Sequence, residues 1–182
     1  MNGIEFYTFD DELWCKKSDG TNIRVTEDSR DIVKAMFDTI VEFYPDAYSA
    51  LLLRYNRSTA NVPYFQFLVV NRFCRCNFGS LDTTEDDVSM NGFNFEKVCC
   101  PLRGECQFEG VICKPKFNNK LSAAEMRVMK LLYDGYSNER IAEELYLSLN
   151  TVKCHIKSSY CKLQLHDKAS FVKYANDNKL FE

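Results

Sequence analysis

The chain has 182 residues, room for one large domain or two small ones, and 46% hydrophobic with 27% charged residues is ordinary for a globular fold. A formal charge of −3 points to no particular partner, nine cysteines make an odd number that disfavours a closed disulfide framework, and no apolar run is long enough for a membrane span. The opening MNGIEFYTFDDELW lacks the basic-then-apolar pattern of a secretory leader, so the expected location is the reducing cytoplasm, where cysteines serve as thiols, metal ligands or redox groups.

In chain order, Leu13 to Lys17 and Asn22 to Val25 flank Ser18-Asp19-Gly20-Thr21, an Asp-Gly signal that predicts a β-hairpin. Ile32, Val33, Met36, Phe37, Ile40, Val41 and Tyr44 then recur at helical spacing, with cap candidates in Thr26 to Ser29 and a stop at Pro45. Asp46 to Tyr55 reads as a second helix. A third follows Pro63, with Phe65, Leu68, Val69, Phe73 and Cys76 on one face and Cys74 pointing away. Residues 77–98 are polar and punctuated by Gly and Asp, and read as loop. Asn118-Asn119-Lys120 makes a short joint, dividing the chain into an α+β domain at 1–117, mainly helical with a small β-hairpin, and an all-α four-helix domain at 118–182.

The second domain carries the stronger signal. Ser122-Ala123-Ala124-Glu125 is a capping box, and the helix it opens runs through Val128, Leu131 and Leu132 to Gly135, a left-handed stop. Ser137 caps a short helix carrying Ile141, Ala142 and Leu145, Tyr146-Leu147 turns the chain, and Ser148 caps a helix continuing to about Leu163. Two short helices joined by a tight turn, the second one basic, spell helix-turn-helix. Val152, Ile156, Ser159 and Leu163 face the core, which leaves Asn150, Lys153, Cys154, Lys157 and Cys161 outward. Charge follows the same division: residues 1–119 hold 13 basic and 18 acidic groups, whereas residues 120–182 hold 10 and 8. A basic helix face of this kind suits the DNA major groove, with lysines reaching guanine or phosphate acceptors.

The stretch LSAAEMRVMKLLYDGYSNERIAEELYLSLNTVKCHIKSSYCKL resembles the LuxR/GerE-type helix-turn-helix. The matching positions are Leu121, Ser122, Glu125, Gly135, Ser137, Ile141, Ala142, Leu145, Ser148, Thr151, Val152, Lys153, His155, Lys162 and Leu163. The resemblance implies a transcriptional regulator that binds double-stranded DNA with the helix at about 148–163. It implies groove reading by Lys153, Cys154 and Lys157 and backbone contact by Thr151 and His155, and Asn150 and Lys162 complete the candidate set. It also implies a homodimer paired through a fourth helix, Asp167 to Asn178. Two positions depart from the family pattern: Ser159 stands where a branched apolar residue is usual, and Gln164 where Gly or Asn is usual.

The first domain offers less. Asp10-Asp11 after IEFYTF and Lys114-Pro115 after VIC imitate a phosphoacceptor receiver, but Arg54-Tyr55-Asn56 stands where the acceptor aspartate belongs. The cysteine-dense CCPLRGECQFEGVICKPKF suggests a thiolate metal site instead. Cys100, Cys106 and Cys113 are candidate ligands, Cys76 is the preferred fourth and Cys99 its alternate. All-thiolate ligation selects zinc first and an iron–sulfur cluster second, in competition with free thiols. Both histidines, His155 and His166, lie in the second domain, so no first-domain histidine is available to activate a cysteine nucleophile, and no glycine-rich phosphate loop is present. A regulator rather than an enzyme is therefore expected, with a metal-stapled or redox- or ligand-responsive first domain. A protein-interaction adaptor or a thiol enzyme with an appended DNA-binding tail is the alternative. The first domain, with its CPLRGEC segment, is similar to Bacteroidetes-type regulators carrying the same tail, which implies no ligand.

Overall fold

The structure is a computed structural model that describes residues 3–79, 81, 86–89, 92–178, 180 and 181. The chain divides into two compact units, residues 1–118 and 119–182.

In the first unit, β1 (Ile4–Phe9), β2 (Glu12–Lys17) and β3 (Asn22–Arg24) form an antiparallel meander. Asp10 and Asp11 turn β1 into β2 with φ of 52° and 60°, the left-handed pair that a two-residue hairpin loop needs to match the strand twist. The acid pair that imitated a receiver is thus a hairpin turn, and Asp11 is ion-paired with Arg75. At the predicted Asp-Gly turn, Lys17 N donates to Thr21 O at 2.9 Å and Gly20 takes φ 81°. Along β2, Leu13 and Cys15 enter the core while Trp14 stacks on Tyr7 outside it, the alternation of a half-buried strand.

Three helices follow, of which the third packs on β1 and β2 and the first two pack on the third. The stripe of α1 (Arg30–Phe43) buries Ile32, Val33, Met36 and Ile40, as its spacing predicted. Pro45 opens α2 (Pro45–Tyr55) at a first-turn position whose amide would lack a helical partner anyway. A single 3₁₀ turn, Asn56–Ser58, leads to α3 (Val62–Asn77), whose Asn61 cap accepts from Tyr64 N.

Two expectations change here. Residues 77–98, read as loop, contain β4 (Val88–Ser89) and β5 (Gly92–Phe93), which extend the sheet to five strands in the order β3-β2-β1-β4-β5. Ile4 pairs with Val88, and Phe6 N donates to the buried Asp87 carboxylate at 2.5 Å, so a side chain supplies part of the edge pairing. Strands of two residues leave no periodicity to read. The second change concerns α3, where Cys74 is fully buried and Cys76 only half-buried. Phe65, Val69 and Phe73 form one buried row and Val70, Cys74 and Asn77 the next, because α3 contacts both the other helices and the sheet. A helix covered that widely has no single inward stripe.

The residues after α3 close the unit. Tyr44, Phe73, Phe78, Phe93 and Phe95 form an aromatic cluster in which Tyr44 lies 5.5 Å from Phe93 and 5.4 Å from Phe95, centroid to centroid. Phe117 stacks on Phe43 at 5.3 Å, and Asn118 N donates to Phe43 O at 2.7 Å, which ties the end of the unit to α1. The cysteine-dense segment is a chain of turns with left-handed glycines at Gly104 (φ 88°) and Gly110 (φ 74°), anchored by the fully buried Ile112. Asn77 fastens its end: Nδ2 donates to Phe73 O at 2.9 Å and to Ile112 O at 2.8 Å, and Oδ1 accepts from Lys114 N at 2.6 Å. Replacing Asn77 by Ala strands those groups in a dry site, and about 2–4 kcal/mol of stability should be lost in urea unfolding.

The second unit is all helical: α4 (Ala123–Tyr133), α5 (Asn138–Glu144), α6 (Leu149–Leu163) and α7 (Lys168–Asp177). Among the described residues, no helix of the chain is long and apolar enough to cross a membrane.

Candidate nucleic-acid interface

Each helix of the second unit starts where a side chain can satisfy the free amides of its first turn. Ser122 accepts from Glu125 N at 3.2 Å while Glu125 accepts from Ser122 N at 2.7 Å, completing the predicted capping box. Ser137, Ser148 and Asp167 accept from Arg140 N, Thr151 N and Ser170 N in the same way. Gly135 ends α4 at φ 92°, with Tyr136 N bonded back to Leu131 O. Tyr146, at φ 54°, turns α5 toward α6, with Leu147 N bonded to Ala142 O. Val128, Met129, Leu132, Ile141, Val152, Phe171 and Ala175 form the buried core around which these starts and stops arrange the helices.

That packing decides what α6 shows to solvent. Val152 and Ser159 are buried and Ile156 and Leu163 half-buried, while Asn150, Lys153, Cys154, Lys157 and Cys161 are exposed, the face division that the spacing predicted. No acidic residue occurs in α6. Lys153 and Lys157 rim a shallow surface depression of about 440 Å³ that also reaches His166. Glu139 is an acidic neighbour of Lys153, and its carboxyl is held below its usual range by its own backbone amide and the Ser137 hydroxyl, with Lys153 adding to the effect. Thr151 is half-buried and its hydroxyl lies 2.8 Å from that of Ser148, so it belongs to the cap as much as to any outward contact. His155 is half-buried at the edge of the exposed face.

Lys162 differs from the rest of the predicted set. Its Nζ lies 2.6 Å from Glu125 Oε2, and Ser158 Oγ donates to Glu125 Oε1 at 2.7 Å. Glu125 is 5% exposed, so its charge is compensated by the capping amide, a hydroxyl and an ammonium at once. Lys162 is therefore a tie between α6 and α4, with its side chain still 40% exposed. Both residues stood in the sequence pattern, but 37 positions of separation hid their pairing.

Burial works against the Glu125 charge, yet the hydrogen bonds from Lys162, Ser122 and Ser158 win and hold its carboxyl down at about 2. The two departures from the family pattern also have structural counterparts. Ser159 is fully buried and its hydroxyl has no hydrogen-bond partner among the described residues. Gln164 takes the left-handed conformation (φ 57°) that glycine would adopt without strain, while Leu165 N closes the helix on Tyr160 O at 2.8 Å.

The cysteines of the first unit are brought together only in part. Cys76 and Cys113 are in side-chain hydrogen-bond contact, and Cys100 is close enough to interact electrostatically with Cys76. No group of three or more Cys, His, Asp or Glu among the described residues is arranged to hold a metal ion, and all nine thiols are free. The predicted set of Cys76, Cys100, Cys106 and Cys113 thus does not fit the tetrahedron of a four-thiolate centre. Cys99 is exposed, and Cys15 and Cys74 are sealed in the core, where burial raises both thiols, Cys74 well above the usual range.

Residues 119–175 match the family of bacterial regulatory proteins, luxR family, under the name GerE. The second unit carries a LuxR-family domain. The chain is also similar to the oxygen regulatory protein NreC of Staphylococcus aureus strains JH9 and MSSA476. Each is 40% identical over 62 residues, 34% of this chain and 29% of the relative. The aligned region thus spans less than a third of the curated relatives' length. Within this LuxR-family domain, Glu125→Gln should test the buried ion pair by itself. Because the folded carboxyl titrates at about 2 rather than near 4.5, its stabilisation is complete above about pH 5 and is lost as pH falls toward 2. Thermal unfolding should therefore show a variant less stable than wild type at pH 6, with the gap closing by pH 2. Gln164→Gly should raise stability by about 0.5–1 kcal/mol in urea unfolding, since it relieves the left-handed strain at some cost in chain entropy.

Proposed function

We propose that the protein is a sequence-specific DNA-binding transcriptional regulator that lays α6 in the major groove and works as a homodimer. The observation that carries this is the exposed face Asn150, Lys153, Cys154 and Lys157, free of acidic residues along α6 and held outward by a core of LuxR-family type. Lysines near the start of a helix reach guanine acceptors and phosphates, Asn150 reaches adenine edges, and the first-turn amides of α6 favour a phosphate. Cys154 offers a small apolar surface to a thymine methyl.

Pairing is assigned to α7. Its buried side is Phe171 and Ala175, and the opposite side presents Ala169, Val172 and Asn176 beside a surface depression of about 650 Å³. Two copies joined there would bring two α6 helices to successive half-sites. The first unit is read as the module that responds to a signal. Similarity to NreC covers 34% of this chain and 29% of that relative, so the oxygen in that relative's name carries no argument about the signal here.

Lys153→Ala with Lys157→Ala should weaken binding to a selected duplex at least tenfold and lower the salt slope by about 2, measured by titration at several salt concentrations. Unchanged affinity and slope would sink the groove assignment. Lys162→Ala serves as the contrast: it should lower the unfolding temperature while the folded protein keeps its salt slope. Val172→Glu should yield a monomer by sedimentation.

A further inference from the structure

Asn77 grips both neighbours of Cys113, accepting from Lys114 N and donating to Ile112 O, so the end of the cysteine-dense segment runs along the last turn of α3. Cys76 is the residue before Asn77, and its thiol meets that of Cys113. A cleft of about 420 Å³ opens beside them, lined in part by Cys76, Cys100, Arg72, Arg75 and Lys97. No acidic side chain lines it among the described residues. Arg75 is engaged by Asp11, whereas Arg72 Nε is buried with no hydrogen-bond partner among the described residues. A dithiol at the wall of a cationic cleft is a different object from a metal site: it has two sulfurs in contact, and charge placed for an anion.

We propose that Cys76 and Cys113 form a thiol–disulfide exchange site for small disulfides that carry carboxylates, which Arg72 and Lys97 seat. Cys76 lines the cleft, so its sulfur, as thiolate, attacks one sulfur of the bound disulfide. The small molecule's S–S bond breaks, one thiolate leaves and takes up the proton that Cys76 released. Cys113, as thiolate, then attacks Cys76 Sγ and displaces the second small thiolate, which takes up the Cys113 proton. Two protein thiols are oxidised to one disulfide and one small disulfide is reduced to two thiols. The product would tie α3 covalently to the segment that leads to the joint.

The reaction is read on the thiols themselves and stands apart from DNA binding. Reduced full-length protein is incubated without oxygen with glutathione disulfide or with the cationic disulfide cystamine, quenched in acid, unfolded, alkylated and mapped by peptide mass. Glutathione disulfide is expected to give a Cys76–Cys113 disulfide as the main product. Cys113→Ala should stop at a mixed disulfide on Cys76. Arg72→Gln should slow oxidation by glutathione disulfide at least fivefold more than it slows oxidation by cystamine. The proposal is overturned if Cys76 stays open to alkylation, if Cys76 is joined to Cys100 instead, or if stoichiometric metal purifies with the chain and blocks the reaction. Equal slowing of both probes by Arg72→Gln overturns the role of the cleft.

Discussion

One carboxylate sets the geometry of the second unit. Glu125 closes the capping box of α4, receives the Ser158 hydroxyl and pairs with Lys162, so the start of α4 and the last turns of α6 share a single nearly buried charge. A charge this enclosed is tolerable only when every partner is in place, since losing one leaves the others uncompensated in a poorly solvated site. The consequence reaches the opposite side of α6. Rotation of the helix about its axis would break the contacts of Ser158 and Lys162 with Glu125, so the outward direction of Lys153 and Lys157 is fixed from behind.

The first unit is built on another kind of constraint, an amide side chain with no charge. Asn77 joins α3 to residues 112–114 through donor and acceptor atoms together, which holds a segment made mostly of turns without a strand of its own. The aromatic cluster around Tyr44 and Phe93 does the apolar part, gathering α1, α3 and the residues after α3 around large rings that tolerate irregular backbone.

What could be read in advance follows the range of the interaction. Ser122, Ser137 and Ser148 act on amides three residues away, Gly135 acts on its own turn, and the inward and outward faces of α6 repeat every three or four residues; each of these signals lies within one helix. The five-stranded sheet depends on Ile4 meeting Val88 and on Asp87 reaching Phe6, pairings with no local mark. Cys74 and Cys76 exchanged roles because α3 is covered on a wide arc. The expected four-cysteine site rested on spacing and on the helix face given to Cys76, and no three of the described His, Cys, Asp or Glu residues come together to hold a metal. The tie from Lys162 to Glu125 likewise had no local mark, its two ends lying 37 positions apart.

The sheet edge at β1 also bears on how the chain is made. Its outer partner, β4, is encoded some 80 residues later, so a ribosome adding about 5–20 residues each second leaves that edge open for about 4–16 s. During that interval Ile4 and Phe6 sit on a strand with an unpaired backbone, a template for another nascent chain. The β1–β2 hairpin can form at once through the Asp10–Asp11 turn, which shields one edge and leaves the other to wait for Asp87 and Val88. Crowded synthesis should therefore tax this protein at its beginning, whereas the second unit, all helical, has no strand edge to leave open.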